Sequence, residues 1–178
     1  MSTEYNEDNL VEQATVDILA DIGWEIQTAW HNEIFGVNGN LGRENKSEVI
    51  LQKYLLVALE NLNPDLPQSA YKDAYFQIAG READKTLDRT NKEKYELIKS
   101  GVKVSFTNDK GELTKKTLKV FDFNNPDNNH FLAVRQLEVT GELYNRRPDV
   151  VGFVNGIPLV FFELKAHTRD LRHAYDDN

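Results

Sequence analysis

Apolar residues recur every three to four positions through the first half of the chain, which is the spacing of amphipathic helices. The first such series consists of Leu10, Val11, Ala14, Ile18 and Ile22. Gly23 follows it at the place where a helix would end. Three further helices are predicted over residues 45–61, 69–79 and 91–101. Asn63-Pro64 would stop one helix and Pro67 would open the next, because proline is tolerated only in a helix's first turn.

The pattern changes after Gly101, where apolar and polar residues begin to alternate as they do along a β-strand. Strands are predicted over residues 102–106, 117–123, 131–139, 147–154 and 158–165, and a last helix begins after residue 168. Helices followed by strands and a final helix predict an α/β sandwich, in which helices flank a mixed or antiparallel central sheet. We therefore expect one domain over residues 1–178, with a helical half, 1–101, and a sheet-forming half, 102–178.

The composition excludes several classes of protein. The chain has no cysteine, which rules out disulfide scaffolds, cysteine nucleophiles and thiolate metal sites. No apolar run approaches the roughly 20 residues of a membrane span. No glycine begins the G-K-[ST] part of a phosphate loop, so the chain carries no nucleotide site of that type. We expect a cytoplasmic protein without a membrane partner.

Charge is distributed unevenly along the chain. Residues 1–91 hold 16 acidic and 7 basic residues, whereas residues 92–178 hold 13 and 14, for a net charge of −8. A domain this acidic should bind nucleic acid weakly by counterion release. If it acts on DNA, we expect another domain or subunit to present the DNA. Arg43 lies in a predicted loop and is expected to be solvated, with a phosphate contact as the alternative.

The candidate chemistry lies in two apolar strands, where residues 146–165 read RRPDVVGFVNGIPLVFFELK. Such apolar runs predict central strands that are buried on both faces. Asp149 lies at the start of the first strand, and Glu163 and Lys165 lie at the end of the second. A carboxylate beside apolar residues is costly unless it is paired or bound to a cation. Two carboxylates and one ammonium group together meet that condition.

The register of this hairpin decides whether the two carboxylates can act together. If residues 155–157 form a three-residue loop, Asp149 lies opposite Glu163 with the Cβ atoms roughly 5 Å apart. A two-residue turn at Asn155-Gly156 would instead place the two acids on opposite faces of the sheet. A shared metal ion therefore requires the longer loop or a β-bulge that restores the register.

Two carboxylates and a lysine in this arrangement suit phosphodiester hydrolysis. Oxygen ligands from Asp149 and Glu163, with the Leu164 carbonyl as a further candidate, favour Mg²⁺. The metal would lower the pKa of a bound water, while Lys165 would orient that water or the phosphate. The alternative is that both acids form ordinary salt bridges at the strand ends, with Arg146, Arg147 or Lys165.

The order Pro148-Asp149, then Glu163-Leu164-Lys165, resembles the PD-(D/E)xK nuclease superfamily. The longer string over residues 147–165 is similar to the N-terminal nuclease domain of type I restriction enzyme R subunits. Further similar stretches are Leu41-Gly42-Arg43, Glu48-Val49-Ile50-Leu51, residues 62–67 and Ala174-Tyr175. Together these stretches extend over residues 41–178.

The resemblance implies a restriction-endonuclease-like fold and an endonuclease that cleaves double-stranded DNA. It implies Asp149, Glu163 and Lys165 as catalytic residues, with Asp149 and Glu163 as metal ligands. The implied cofactor is Mg²⁺, for which Mn²⁺ can substitute. Superfamily members often add a glutamate from an early helix, and Glu48 is the matching candidate here.

The resemblance also implies partners, namely the modification and specificity subunits of a restriction complex. ATP would be used only by a motor domain absent from this chain, so we expect the chain to be a fragment of a longer subunit. A Gln-x₃-Tyr motif usually follows the catalytic lysine, and none occurs before Asn178. Two other interpretations stay open: a nuclease of the same superfamily in DNA repair or recombination, and a non-catalytic docking or coupling module.

Overall fold

A computed structural model describes residues 7–80, 85–108, 110–141 and 144–164, with side chains from residue 11 onward. In chain order the elements are α1 (Glu7–Asp21), β1 (Glu25–Thr28), α2 (Gln52–Leu62), α3 (Gln68–Ala79), α4 (Leu87–Ser100), β2 (Val102–Thr107), β3 (Leu113–Leu118), a 3₁₀ turn (Pro126–Asn128), β4 (Phe131–Arg135), β5 (Val139–Thr140), β6 (Asn145–Arg146), β7 (Val150–Val154) and β8 (Ile157–Phe162). The chain divides into two compact units. The first contains the described parts of residues 1–49 and 131–178, and the second contains those of residues 50–130.

The first unit is built on a mixed sheet whose described strands follow the order β1-β4-β7-β8. β1 and β4 are parallel, whereas β4, β7 and β8 are antiparallel to their neighbours. Helix α1 covers one face, where Val16 and Leu19 join Ala133 and Val150 in a buried cluster. This mixed sheet, together with the helices, confirms the predicted α/β fold class.

Strand β1 lies in the half of the chain that the sequence pattern predicts to be helical. Its residues, Glu25–Thr28, include only one strongly apolar side chain, Ile26. The strand forms because it pairs with β4, so that Ile26 lies opposite Ala133. A strand that depends on a partner distant in the sequence leaves little local signal, which explains the wrong prediction.

Strand β8 lies at the edge of the described sheet, where the apolar run predicts a central strand. β7 is buried along most of its length. On β8, by contrast, Leu159, Val160 and Phe161 are 47%, 38% and 64% exposed. The prediction of burial on both faces is therefore correct for β7 and wrong for β8.

Helix α2 begins at Gln52 and not at residue 45 as the apolar spacing predicts. Residues 45–50 form turns and bends, and the Asn45 side chain accepts a hydrogen bond from the Ser47 backbone N–H at 2.9 Å. An asparagine that binds the backbone two residues onward favours a turn over a helix. Glu48 consequently lies in this turn segment and not on a helix.

The second unit combines α2, α3 and α4 with the β2–β3 hairpin. Asn63 directly follows α2, and its side chain forms two hydrogen bonds with the backbone of Lys119. It donates to the Lys119 carbonyl at 2.9 Å and accepts from the Lys119 N–H at 2.8 Å. The buried Tyr71 hydroxyl of α3 donates to the Asn63 carbonyl at 2.7 Å. Asn63, in the stretch 62–67 that resembles the nuclease family, therefore joins elements of this unit.

Candidate functional site

The β7–β8 hairpin closes with a two-residue turn. Asn155 and Gly156 have φ angles of 51° and 78°, and positive φ at both residues is what a type I′ turn requires. Val154 accordingly lies opposite Ile157. This tight turn, taken alone, would place the two candidate carboxylates on opposite faces of the sheet.

A β-bulge restores the register two residue pairs beyond the turn. Gly152 lies opposite Val160, which leaves Leu159 as the extra residue of β8. From there Val150 lies opposite Phe162. Continuing the same register by one residue brings Asp149 opposite Glu163. Because residues directly opposite each other share a face, the bulge gives both acids the same side of the sheet.

Gly152 accounts for the close packing at the bulge. A Cβ atom at this position would lie 3.0 and 3.2 Å from two ring atoms of Trp24, and 3.3 Å from the Cβ of Val160. A larger residue would require Trp24 or Val160 to move by a few tenths of an ångström, and a glycine inside a strand often marks a bulge or a close contact. The glycine within the apolar run 150–154 was the one sequence signal for this feature.

Asp149 is held by groups on two neighbouring elements. Its Oδ2 accepts a hydrogen bond from the Leu164 backbone N–H at 2.7 Å. Its Oδ1 lies 3.4 Å from Nε2 of Gln136, and its backbone carbonyl accepts from the Gln136 N–H at 2.9 Å. The Asp149 side chain is half-buried, whereas Glu163 is exposed.

Glu12 of helix α1 is connected to Asp149 through Gln136. The Gln136 Nε2 donates to Glu12 Oε2 at 2.9 Å, and the Arg135 Nε donates to Glu12 Oε1 at 2.6 Å. Glu12 is only 5% exposed. It shares the buried face of α1 with Val16 and Leu19, so a carboxylate at an inward position of the helix was the signal that sequence analysis missed.

The other two predicted site residues are Lys165 and Glu48. Lys165 lies outside the described residues. The Glu48 Oε2 accepts a hydrogen bond from the Glu44 N–H at 3.0 Å. Within the described part of the chain, no three acidic or histidine side chains form a group that could hold a metal ion, so Glu48 is not grouped there with Asp149 and Glu163.

The pair Asp149 and Glu163 by itself fits a magnesium site. Mg²⁺ is usually bound through one or two carboxylates, with waters and substrate phosphates completing the octahedron. Hard oxygen donors on one face, one of them exposed at the end of a strand, match that requirement.

Arg43 is a buried structural residue and neither a solvated nor a phosphate-contacting one. Its side chain is 0% exposed and forms a bidentate ion pair with Glu33, at 2.7 Å from Nε and 2.5 Å from Nη2. The same guanidinium donates to the carbonyls of Glu48 and Glu138, at 3.0 and 3.1 Å. These bonds join the segment before α2 to the segment after β4.

A pocket of about 250 Å³ adjoins Asp149 through Gln136, and its lining includes Trp30, His31, Lys46, Gln136 and Glu138. The Arg147 guanidinium lies 3.9 Å from the centre of the Trp30 ring. The hydrogen bond from Lys46 lowers the pKa of the Glu138 carboxyl below its usual 4.5, although some desolvation opposes the shift. A larger pocket, of about 750 Å³, lies between α3 and α4 and contains none of the predicted site residues.

The described helices include none that is long and apolar enough to cross a membrane.

Comparison with known proteins assigns the family. The family described as type I restriction enzyme R protein N terminus matches residues 4–177. The chain belongs to this family. The resemblance of residues 41–178 to the N-terminal region of type I restriction R subunits is therefore confirmed.

Individual relatives agree with this assignment. The endonuclease subunit of the type I restriction enzyme HindI of Haemophilus influenzae is 36% identical over 173 residues, which cover 95% of this chain and 16% of that subunit. The putative MjaIXP endonuclease subunit of Methanocaldococcus jannaschii is 30% identical over 187 residues, 99% of this chain and 17% of the relative. The chain thus spans about one sixth of the length of these two relatives.

Proposed function

We propose that this chain is the Mg²⁺-dependent nuclease part of a type I restriction R subunit and cleaves double-stranded DNA. The observation that best supports the proposal is the bulged register of β7 and β8, which brings Asp149 opposite Glu163 despite the tight turn. Membership of the R-protein family and the naming of its relatives as endonuclease subunits support the same role.

The proposed division of labour follows from the chemistry of each side chain. Asp149 and Glu163 would hold Mg²⁺, and Lys165 would orient the attacking water or the phosphate. When bound, Mg²⁺ offsets the charge of the phosphate and lowers the pKa of a bound water. The Leu164 N–H fixes one oxygen of Asp149, so the orientation of that carboxylate is set before any ligand arrives.

The helix glutamate of the superfamily has two candidates in this chain. Glu48 remains the candidate by sequence, but it lies in a turn and binds the Glu44 backbone. Glu12 lies on a helix and shares the Gln136 amide with Asp149. Because the described residues contain no group of three acidic side chains that could hold a metal ion, neither glutamate is grouped there with Asp149 and Glu163.

The proposed partners are double-stranded DNA and the modification and specificity subunits, in the cytoplasm, with ATP consumed by a motor domain. The net charge of −8 supports presentation of the DNA by these other parts.

The proposal is tested by measuring restriction of unmodified bacteriophage in cells that carry the gene for this chain in its natural genetic context. Asp149→Asn, Glu163→Gln and Lys165→Ala should each abolish restriction, which a rise in plating efficiency of about 100-fold or more would show. Glu60→Gln, at an exposed position on α2, is the matched control and should restrict normally. Unchanged restriction with Lys165→Ala and Asp149→Asn would contradict the proposal and favour a non-catalytic module.

A further inference from the structure

Gln136 directly follows β4 and has a backbone conformation that costs free energy. Its φ angle is 53°, in the left-handed region of backbone conformation that residues other than glycine and asparagine seldom adopt. Strained residues of this kind tend to be found at functional sites. Glycine would adopt this backbone conformation at a lower cost in free energy. The contacts of the glutamine side chain are therefore the feature that glycine could not supply.

The side-chain amide of Gln136 lies between two carboxylates. Its Nε2 is 2.9 Å from Glu12 Oε2 and 3.4 Å from Asp149 Oδ1. Carboxylates only accept hydrogen bonds, and the amide NH₂ group has two hydrogens to give. Chemistry therefore fixes the orientation of the amide, because a flipped amide would turn its oxygen toward both negative charges.

Glu12 is itself held in place on the far side of this amide. The buried carboxylate receives the Arg135 Nε at 2.6 Å, and Arg135 also donates to Gln13 Oε1 at 3.0 Å. A carboxylate that is buried and paired in this way keeps one position and orientation. Gln136 thus links a fixed charge on α1 to the Asp149 carboxylate at the start of β7.

We propose that Gln136 is a positioning residue that holds the Asp149 carboxylate in the orientation required for binding a divalent cation. This inference rests on the proposed function, in which Asp149 is a metal ligand. Partners that orient a ligand from behind typically change metal affinity by 10- to 100-fold when removed.

Gln136→Gly separates positioning from a structural role. Glycine relieves the strain and keeps the backbone N–H bond to the Asp149 carbonyl, which offsets part of the cost of removing the amide from Glu12, so the variant should still fold. The Mn²⁺ affinity of the chain, measured by calorimetry, should nevertheless fall 10- to 100-fold. The matched control is Asp65→Gly, an exposed residue with a φ of 64°, which relieves similar strain and should leave Mn²⁺ affinity unchanged.

A second measurement needs no metal. Hydrogen exchange of the Leu164 amide reports on Asp149, because that N–H donates to Asp149 Oδ2. Exchange should become several-fold faster in Gln136→Gly and stay as in the parent in Asp65→Gly. Unchanged Leu164 exchange together with unchanged Mn²⁺ affinity in Gln136→Gly would overturn the inference.

The same data distinguish this inference from the proposed function. If Asp149→Asn abolishes Mn²⁺ binding and Gln136→Gly does not alter it, the metal site stands and the role of Gln136 is refuted. If Mn²⁺ binding is absent from the parent or unaffected by Asp149→Asn, the metal site itself is refuted. Leu164 exchange then still decides whether Gln136 holds the Asp149 carboxylate.

Discussion

At the scale of single residues, buried charge is the feature that organises the first unit. Arg43 with Glu33, and Arg135 with Glu12, place ionised groups in the interior and satisfy them with further hydrogen bonds. Burying an unpaired charge costs several kcal/mol, so each partner depends on the other. The sequence shows that such residues exist, but it does not show which of its 50 charged side chains are buried.

Loss of the Arg43 charge should destabilise the fold strongly. Arg43→Met leaves the Glu33 carboxylate buried without its partner, and we expect the free energy of unfolding to fall by about 3–5 kcal/mol. Urea unfolding followed by circular dichroism measures this change. Arg89→Met is the matched control, since Arg89 is 69% exposed in its pair with Glu93 and its loss should lower stability far less. Equal effects of the two substitutions would contradict the structural role of Arg43.

The Lys46–Glu138 pair gives a prediction for pH. The hydrogen bond from Lys46 lowers the pKa of Glu138 below 4.5 in the folded protein. The pair therefore contributes stability above pH 4.5, and this contribution is lost as the pH falls through the lower, folded pKa. Lys46→Met should lower stability at pH 7 by less than about 1 kcal/mol.

The difference between parent and Lys46→Met should become smaller as the pH falls from 7 to 3, as urea midpoints at the two pH values would show. Lys116→Met, at an exposed position on β3, serves as the control for removing a positive charge. A difference between parent and Lys46→Met that persists unchanged at pH 3 would contradict the assignment.

At the scale of elements, the β7–β8 hairpin decides whether a metal site can exist. The sequence predicts both strands and shows that Asn155-Gly156 favours a tight turn. It leaves the register open, because the close packing at the bulge brings together Gly152 and Trp24, which lie far apart along the chain. The bulge at Leu159 sets the register in which Val150 lies opposite Phe162.

Deleting or inserting one residue at the bulge tests whether Mn²⁺ binding depends on the register of β7 and β8. Deleting Leu159 removes only the extra residue, so Gly152 still pairs with Val160 and Asp149 still faces Glu163. We expect this variant to fold and to bind Mn²⁺ as the parent does. Inserting one alanine after Leu159 moves Glu163 one position along the strand and onto the other face, and Mn²⁺ binding should be lost.

Calorimetry of both variants, with circular dichroism to confirm folding, tests this expectation. Leu159→Ala keeps the length and serves as the control. Retained binding after the insertion would show that the two acids do not depend on this register.

At the scale of the whole molecule, the sequence predicts the fold class and the family better than it predicts individual elements. Local periodicity predicts the bounds of α1 and α3 closely, because both are bounded by glycine or proline. The predicted apolar face of α1 is wrong, since Ile18 and Ile22 are exposed whereas Val16 and Leu19 are buried. Periodicity also fails for β1, for the edge position of β8 and for the start of α2, which depend on distant partners or on side-chain bonds to the backbone. The candidate acids follow from the sequence, whereas Glu12 and Gln136 join the site only through the fold.

The acidic character of the chain predicts weak DNA binding by the chain alone. With a net charge of −8, few phosphate contacts are available to release counterions. Fluorescence anisotropy with a short duplex at about 0.15 M salt should give a Kd weaker than about 10⁻⁶ M. Nanomolar binding under these conditions would contradict the expectation that other parts of the complex present the DNA.

We propose that Asp149 and Glu163 share one divalent cation. Anomalous diffraction from crystals of this chain soaked in Mn²⁺ would locate that ion. We expect one anomalous peak within about 2.5 Å of a carboxylate oxygen from each of the two residues. A peak elsewhere, no peak, or the two side chains on opposite faces of the sheet would contradict it.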